Sequence, residues 1–170
     1  MKKLKELLNN KQTTNLLFSF TAIVYALVLC RGLLFKYVKI TELFSLDRFE
    51  HIGYNLIPFN GSGLNFRLDL ILNTLMFVPF GFIISMKSKK NLKSFLLLLI
   101  PFLSSVIFES LQYIFRLGAA DITDIITNTL GSIIGFIIYF LIYKIFGNKP
   151  DKFFIFVMSA VAVFALFLLY

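Results

Sequence analysis

Glu109 stands in a stretch, residues 94–115, that holds no other charged residue. A carboxylate near mid-membrane costs roughly 2.5–3.5 kcal/mol and less near the interface, so such a group should face the bundle interior and have a partner. Gln112 and Arg116 follow at +3 and +7, and Ser105 precedes at −4. At helical spacing the four share one face. A second set, Asp121, Asp124 and Asn128, repeats the +3 and +7 pattern, and Gly131 and Gly135 continue that stripe. Small residues spaced by four let helix backbones approach closely. Asn73 adds an amide from a third stretch, with Arg67 and Asp69 just before it.

Carboxylates, amides and guanidinium groups in such a cluster suit three chemistries. They can hold a polar head group, the arginine fork being matched to phosphate or carboxylate. They can supply a general acid and base. They can hold a divalent ion through oxygens. Each residue alone has a plain structural reading. The aspartates suit helix N-termini as caps and dipole partners, and Glu109 with Arg116, or Asp124 with Arg67, reads as a salt bridge. The group is harder to explain that way, because buried charge costs more than apolar packing.

The elements that must position these residues follow from composition. The chain has 170 residues, of which 58% are hydrophobic and 15% charged. A soluble domain has about a quarter of its residues charged. There is too little polar surface here for a water-facing globule, which excludes a soluble enzyme, a disordered chain and, despite a net charge of +8, a nucleic-acid-binding domain. A single cysteine, Cys30, excludes a disulfide framework, and a single histidine, His51, excludes paired-histidine metal motifs. No cofactor or metal is expected.

Five stretches approach the ~20 apolar residues that cross a bilayer: residues 15–35, 70–86, 94–115, 125–143 and 153–170. The first is too long and lacks the small-residue site of a cleaved signal. The expected fold is therefore all-α, a polytopic integral membrane bundle of about five helices. A basic cytoplasmic segment, residues 1–14, precedes a single membrane domain, residues 15–170. Alternating spans put eleven basic residues on one side (Lys2, Lys3, Lys5, Lys11, Lys87, Lys89, Lys90, Lys93, Lys144, Lys149, Lys152) and six on the other (Arg31, Lys36, Lys39, Arg48, Arg67, Arg116). By the positive-inside rule the N-terminus is cytoplasmic and the C-terminus outside. The polar cluster then lies toward the outer leaflet. Pro79 and Gly81 suggest a kink in the second span, and the apolar residues 55–59 suggest an interfacial or re-entrant turn.

Three segments resemble the VanZ-like family of small bacterial membrane proteins. They are Asn55-Leu56-Ile57-Pro58-Phe59; Asn73 followed by Phe77-Val78-Pro79-Phe80-Gly81; and the run from Glu109-Ser110-Leu111-Gln112 through Arg116, Asp121 and Asp124 to Asn128-Thr129-Leu130-Gly131 and Gly135. They span residues 55–143, inside a VanZ-like region of about residues 40–145. The order of the three on successive apolar spans is the specific part. Two departures are visible: Arg116 stands five residues before Asp121, and Thr123 occupies the middle of the aspartate motif.

The resemblance implies a multi-pass cell-membrane protein associated with resistance to teicoplanin-type glycopeptides. On that reading Arg67, Asn73, Glu109, Gln112, Arg116, Asp121, Asp124 and Asn128 form a binding pocket for a membrane lipid or a lipid-linked wall precursor. The alternative is an integral membrane enzyme acting on such a lipid through Glu109, Asp121 and Asp124, against which no nucleophile–base pair is visible. A transporter is a weaker reading, because no inverted repeat is present.

Overall fold

A computed structural model describes residues 11–36, 53–87 and 98–146. They form four helices and two short strands: α1 (Lys11–Leu34), β1 (Gly53–Asn55), α2 (Gly63–Lys87), α3 (Leu99–Ile114), β2 (Ala119–Asp121) and α4 (Ile122–Phe146). Three stretches, Leu16–Leu34, Gly63–Met86 and Ile122–Ile145, are long and apolar enough to cross a membrane. The chain is a helical membrane protein. The 16 residues of α3 span only ~24 Å at ~1.5 Å each. Residues 1–10, 37–52, 88–97 and 147–170, which include the expected fifth span, lie outside the described residues.

The chain divides into two compact units, one of Met1–Cys30 with Ile142–Tyr170 and one of Arg31–Leu141. The described residues of the first are helical. The second contains all of the cluster residues and is held by an intimate contact between α2 and α4. A Cβ on Gly131 would overlap the carbonyl oxygen of Thr74, one on Gly135 that of Val78, and one on Gly81 that of Ser132. Residue numbers rise together on both helices, so the two run parallel. Without a hydrophobic force between helices in lipid, this closeness is what secures van der Waals contact. Phe77 is fully buried beside it, Ser132 Oγ donates to the Phe77 carbonyl at 3.4 Å, and Phe82 meets Tyr139 edge-on at 5.3 Å.

α3 runs the other way. Ser105 pairs with Asn128, and Glu109, one turn on, pairs with Asp121, earlier in the chain. The end of α1 joins the same region, where Gly32 faces Met76 and Leu33 faces Gln112. The C-terminal ends of α1 and α3 therefore meet the N-terminal ends of α2 and α4.

Two features differ from expectation. α2 begins at Gly63 rather than near residue 70, because Asn65, Arg67 and Asp69 lower the hydropathy without stopping a helix. Residues 53–55 form a strand, paired in parallel with residues 119–121 in the register Tyr54↔Ala120. This adds a small sheet to an otherwise helical fold. The chain then turns: Asn55 Oδ1 accepts the Ile57 N–H at 3.1 Å, the side-chain mimic of a turn that asparagine favours. The Phe59 N–H donates to Thr123 Oγ1 at 3.0 Å. The segment that reads as re-entrant is thus tied to the turn between α3 and α4.

Candidate functional site

Four helix ends deliver the polar groups. Lys36 follows α1 and bridges Asp69 of α2, at 3.5 Å, and Asp124 of α4, at 3.4 Å. Asp124 sits in the first turn of α4, where the helix dipole favours negative charge. Glu109 of α3 is 4% exposed, and its Oε2 accepts the Asp121 N–H at 2.8 Å. Asp121 is used fully. Its Oδ1 accepts the Thr123 N–H at 2.7 Å, an N-cap for α4, and its Oδ2 accepts Asn55 Nδ2 at 3.0 Å.

The amides lie one turn from the carboxylates. Gln112 Nε2 donates to the Leu33 carbonyl at 2.8 Å, satisfying an acceptor at the end of α1. Asn128 Nδ2 donates to Ser105 Oγ at 2.8 Å in the seam between α3 and α4. Asn73, Gln112 and Asn128 are all buried. Yet among the described residues Asn73 Nδ2, Gln112 Oε1 and Asn128 Oδ1 have no hydrogen-bond partner. A buried polar atom left unpaired costs about 1–3 kcal/mol.

Five of the eight expected site residues are brought together, Glu109, Gln112, Asp121, Asp124 and Asn128, and a sixth, Asn73, is buried on α2 one turn from Asp69. Arg67 and Arg116 do not join them. Both are exposed. On α2 the inward face carries Asp69 and Asn73, four apart, and Arg67 lies two residues from Asp69, on the opposite side. Arg116 was placed by continuing a helical stripe past the point where the helix stops. α3 ends at Ile114 and Phe115 is its C-cap. Arg116 adopts a left-handed φ of 55°. The Arg116 N–H then donates to the Tyr113 carbonyl, and the Leu117 N–H to that of Gln112. This is the Schellman closure of a helix end.

The cation that does enter is Lys36, which the sequence reading assigned only to a loop. Its signal was present: a lysine just past an apolar helix, at the end of the bundle where the carboxylates gather. Thr123 and Asn55 also belong to the frame of the cluster. They hold the 53–59 segment against the cluster. Glu109–Arg116 and Asp124–Arg67 pairs do not form.

Chemically, Asp69 and Asp124 share the Lys36 ammonium, and Glu109 and Asp121 are joined to each other beside them. Both oxygens of Asp121 and one oxygen of Glu109 are committed to backbone and side-chain partners. Among the described residues no three acidic, histidine or cysteine ligands converge on a metal position.

Comparison with known proteins places the chain in a family. The family model described as VanZ/LLP1 matches residues 20–143. The protein named Protein VanZ from Enterococcus faecium is 36% identical over 116 residues, covering 61% of this chain and 69% of the relative. No solved structure matches. The match takes in the end of α1, both strands and all of α2 and α3, and with them every residue of the cluster; the chain belongs to the VanZ/LLP1 family.

Proposed function

We propose that this protein is a multi-pass protein of the bacterial cell membrane that lowers susceptibility to teicoplanin-type glycopeptides. On this reading it binds or modulates an envelope lipid or lipid-linked wall precursor at the polar cluster, which lies at the outer leaflet. The observation that carries it is the trio of buried, unpaired amide atoms on Asn73, Gln112 and Asn128. A bundle built only for stability would fill these positions with apolar groups at lower cost. A ligand with matching donors and acceptors removes the penalty. The resistance role rests on family membership.

Expression of the wild type in a low-GC Gram-positive host is expected to raise the inhibitory concentration of teicoplanin. The Glu109→Ala, Asp124→Ala double variant should lose that effect, with membrane abundance checked by immunoblot. Full resistance in the double variant at equal abundance would mean that the cluster is purely structural.

The orientation has its own expected result. In a Cys30→Ser background, an impermeant thiol reagent should label Arg116→Cys on intact cells, since this position is exposed beside the cluster. It should label Lys87→Cys, at the far end of α2, only after permeabilisation. The opposite pattern would place the cluster at the cytoplasmic face and remove it from the reach of extracellular antibiotics.

A further inference from the structure

We infer that the cluster is a binding site for a primary ammonium group, carried most naturally on a lipid head group. This rests on the ligand-binding reading above and narrows its chemistry.

The argument begins with what the site leaves unmatched. Glu109 accepts the Asp121 N–H through Oε2, and its Oε1 has no partner among the described residues. Asp124 meets Lys36 through Oδ2, and its Oδ1 is likewise without a partner. Gln112 Oε1 and Asn128 Oδ1 are buried and unpaired. These acceptors come from α3 and α4, and the two amides flank the two carboxylates by single helical turns. Asn128 is held by Ser105, one turn from Glu109 on the same helix, so its amide lies in the seam between α3 and α4 one turn deeper than Glu109 and Asp124, while Gln112 lies one turn nearer the end of α3. Against these oxygens stands one unmatched donor, Asn73 Nδ2.

An acceptor-rich site asks for a donor-rich ligand. An ammonium offers three N–H donors and no acceptor, and its bonds to carboxylates are the strong, charge-assisted kind. An anionic head group fits poorly. A phosphate carries only acceptors at neutral pH and would meet the acceptor oxygens of Glu109, Asp124, Gln112 and Asn128 rather than donors. The only ammonium there among the described residues, on Lys36, is already shared between Asp69 and Asp124. Both arginines that could have answered a phosphate are exposed. A metal ion is not the better occupant, since no three suitable ligands converge among the described residues.

The surroundings favour a lipid as carrier. Tyr54 and Tyr113 meet edge-on at 6.4 Å beside the turn that holds Asp121. With Leu56, Ile57, Phe59, Ile114 and Phe115 they leave an exposed apolar and aromatic apron, as is usual where protein meets the head-group layer.

The test uses purified full-length protein and native mass spectrometry with three lipids of identical acyl chains. Phosphatidylethanolamine should be retained about tenfold over phosphatidylglycerol, the scale of one charge-assisted hydrogen bond. It should also exceed phosphatidylcholine, whose quaternary nitrogen carries no N–H. Glu109→Gln and Asp124→Asn should each bring the preference to within about twofold of equality. If either variant fails to give a monodisperse protein, the wild-type ranking alone decides. Displacement of the lipid by millimolar ethanolamine would show that the ammonium suffices, while displacement only by lyso-phosphatidylethanolamine would show that the chain is needed; both support the site. Retention of phosphatidylglycerol at or above the level of phosphatidylethanolamine would overturn the inference and leave the lipid-binding reading standing. Retention of none of the three, with no ethanolamine binding, would overturn both.

Discussion

Replacing Lys36 with methionine is expected to destabilise the protein by about 3 kcal/mol or more and to abolish any resistance phenotype. The methylene stem is retained, so packing is largely preserved and the loss is electrostatic. Asp69 and Asp124 both depend on this one ammonium. Asp69 is 38% exposed at its side chain and can turn to water, whereas Asp124 is 11% exposed and cannot. Removing one member of a buried pair costs more than removing both, because it strands the other. The second substitution is therefore diagnostic. Asp124→Asn in the Lys36→Met background should recover most of the thermal stability in detergent, and Asp69→Asn should recover little. Equal recovery by both, or none by either, would show that the bridge does not organise the cluster. Resistance should not return with stability in the double variant, since Asp124 is itself part of the proposed site.

The second large effect lies deeper. Gly135→Leu and Gly131→Val should each prevent accumulation of a monodisperse protein. Each new side chain would meet a carbonyl of α2, that of Val78 or Thr74. Backbone cannot rotate away as a side-chain tip does, so the helices must separate. Overpacking costs about 1–3 kcal/mol even where side chains can yield, and here three glycine contacts along one seam would open together. Gly53→Ala is the control: its Cβ would sit 3.8 Å from that of Ala119, an ordinary contact, and expression should be unaffected. Size-exclusion profiles of the three variants decide the matter. A normal profile for Gly135→Leu would mean that the α2–α4 seam is not the fold's organising contact.

Much of this bundle was legible in the chain. Apolar length identified α1, α2 and α4, and four-residue spacing placed Asp124 with Asn128 and Glu109 with Ser105 on inward faces. The Gly131 and Gly135 pair announced the close seam. What could not be read is where regular geometry ends. Arg116 continues the stripe of Glu109 and Gln112 only if the helix continues, and a left-handed residue at 116 breaks the count by which it was placed. A residue other than glycine at that C-terminal position gave no warning. Lys36 was hidden for a related reason. Its partners lie 33 and 88 residues away, and no periodicity links a residue beyond one helix to the first turns of two others. The strand pairing of residues 53–55 with 119–121 was invisible because three-residue strands leave no alternation to detect.

The seam between α2 and α4 also sets how the cluster can move. Two helices in backbone contact along Gly81, Gly131 and Gly135 leave no room between them for even a methyl group. α3 is joined to α4 differently, through the Ser105–Asn128 and Glu109–Asp121 hydrogen bonds, which exchange readily with a ligand or with water. The end of α1 is held to α3 by the Gln112–Leu33 bond and to the other helices through Lys36. Admission of the proposed ligand is therefore expected to fall to α3 and the end of α1 rather than to the α2–α4 pair. In such a machine the glycines set stiffness and the polar residues serve as a latch.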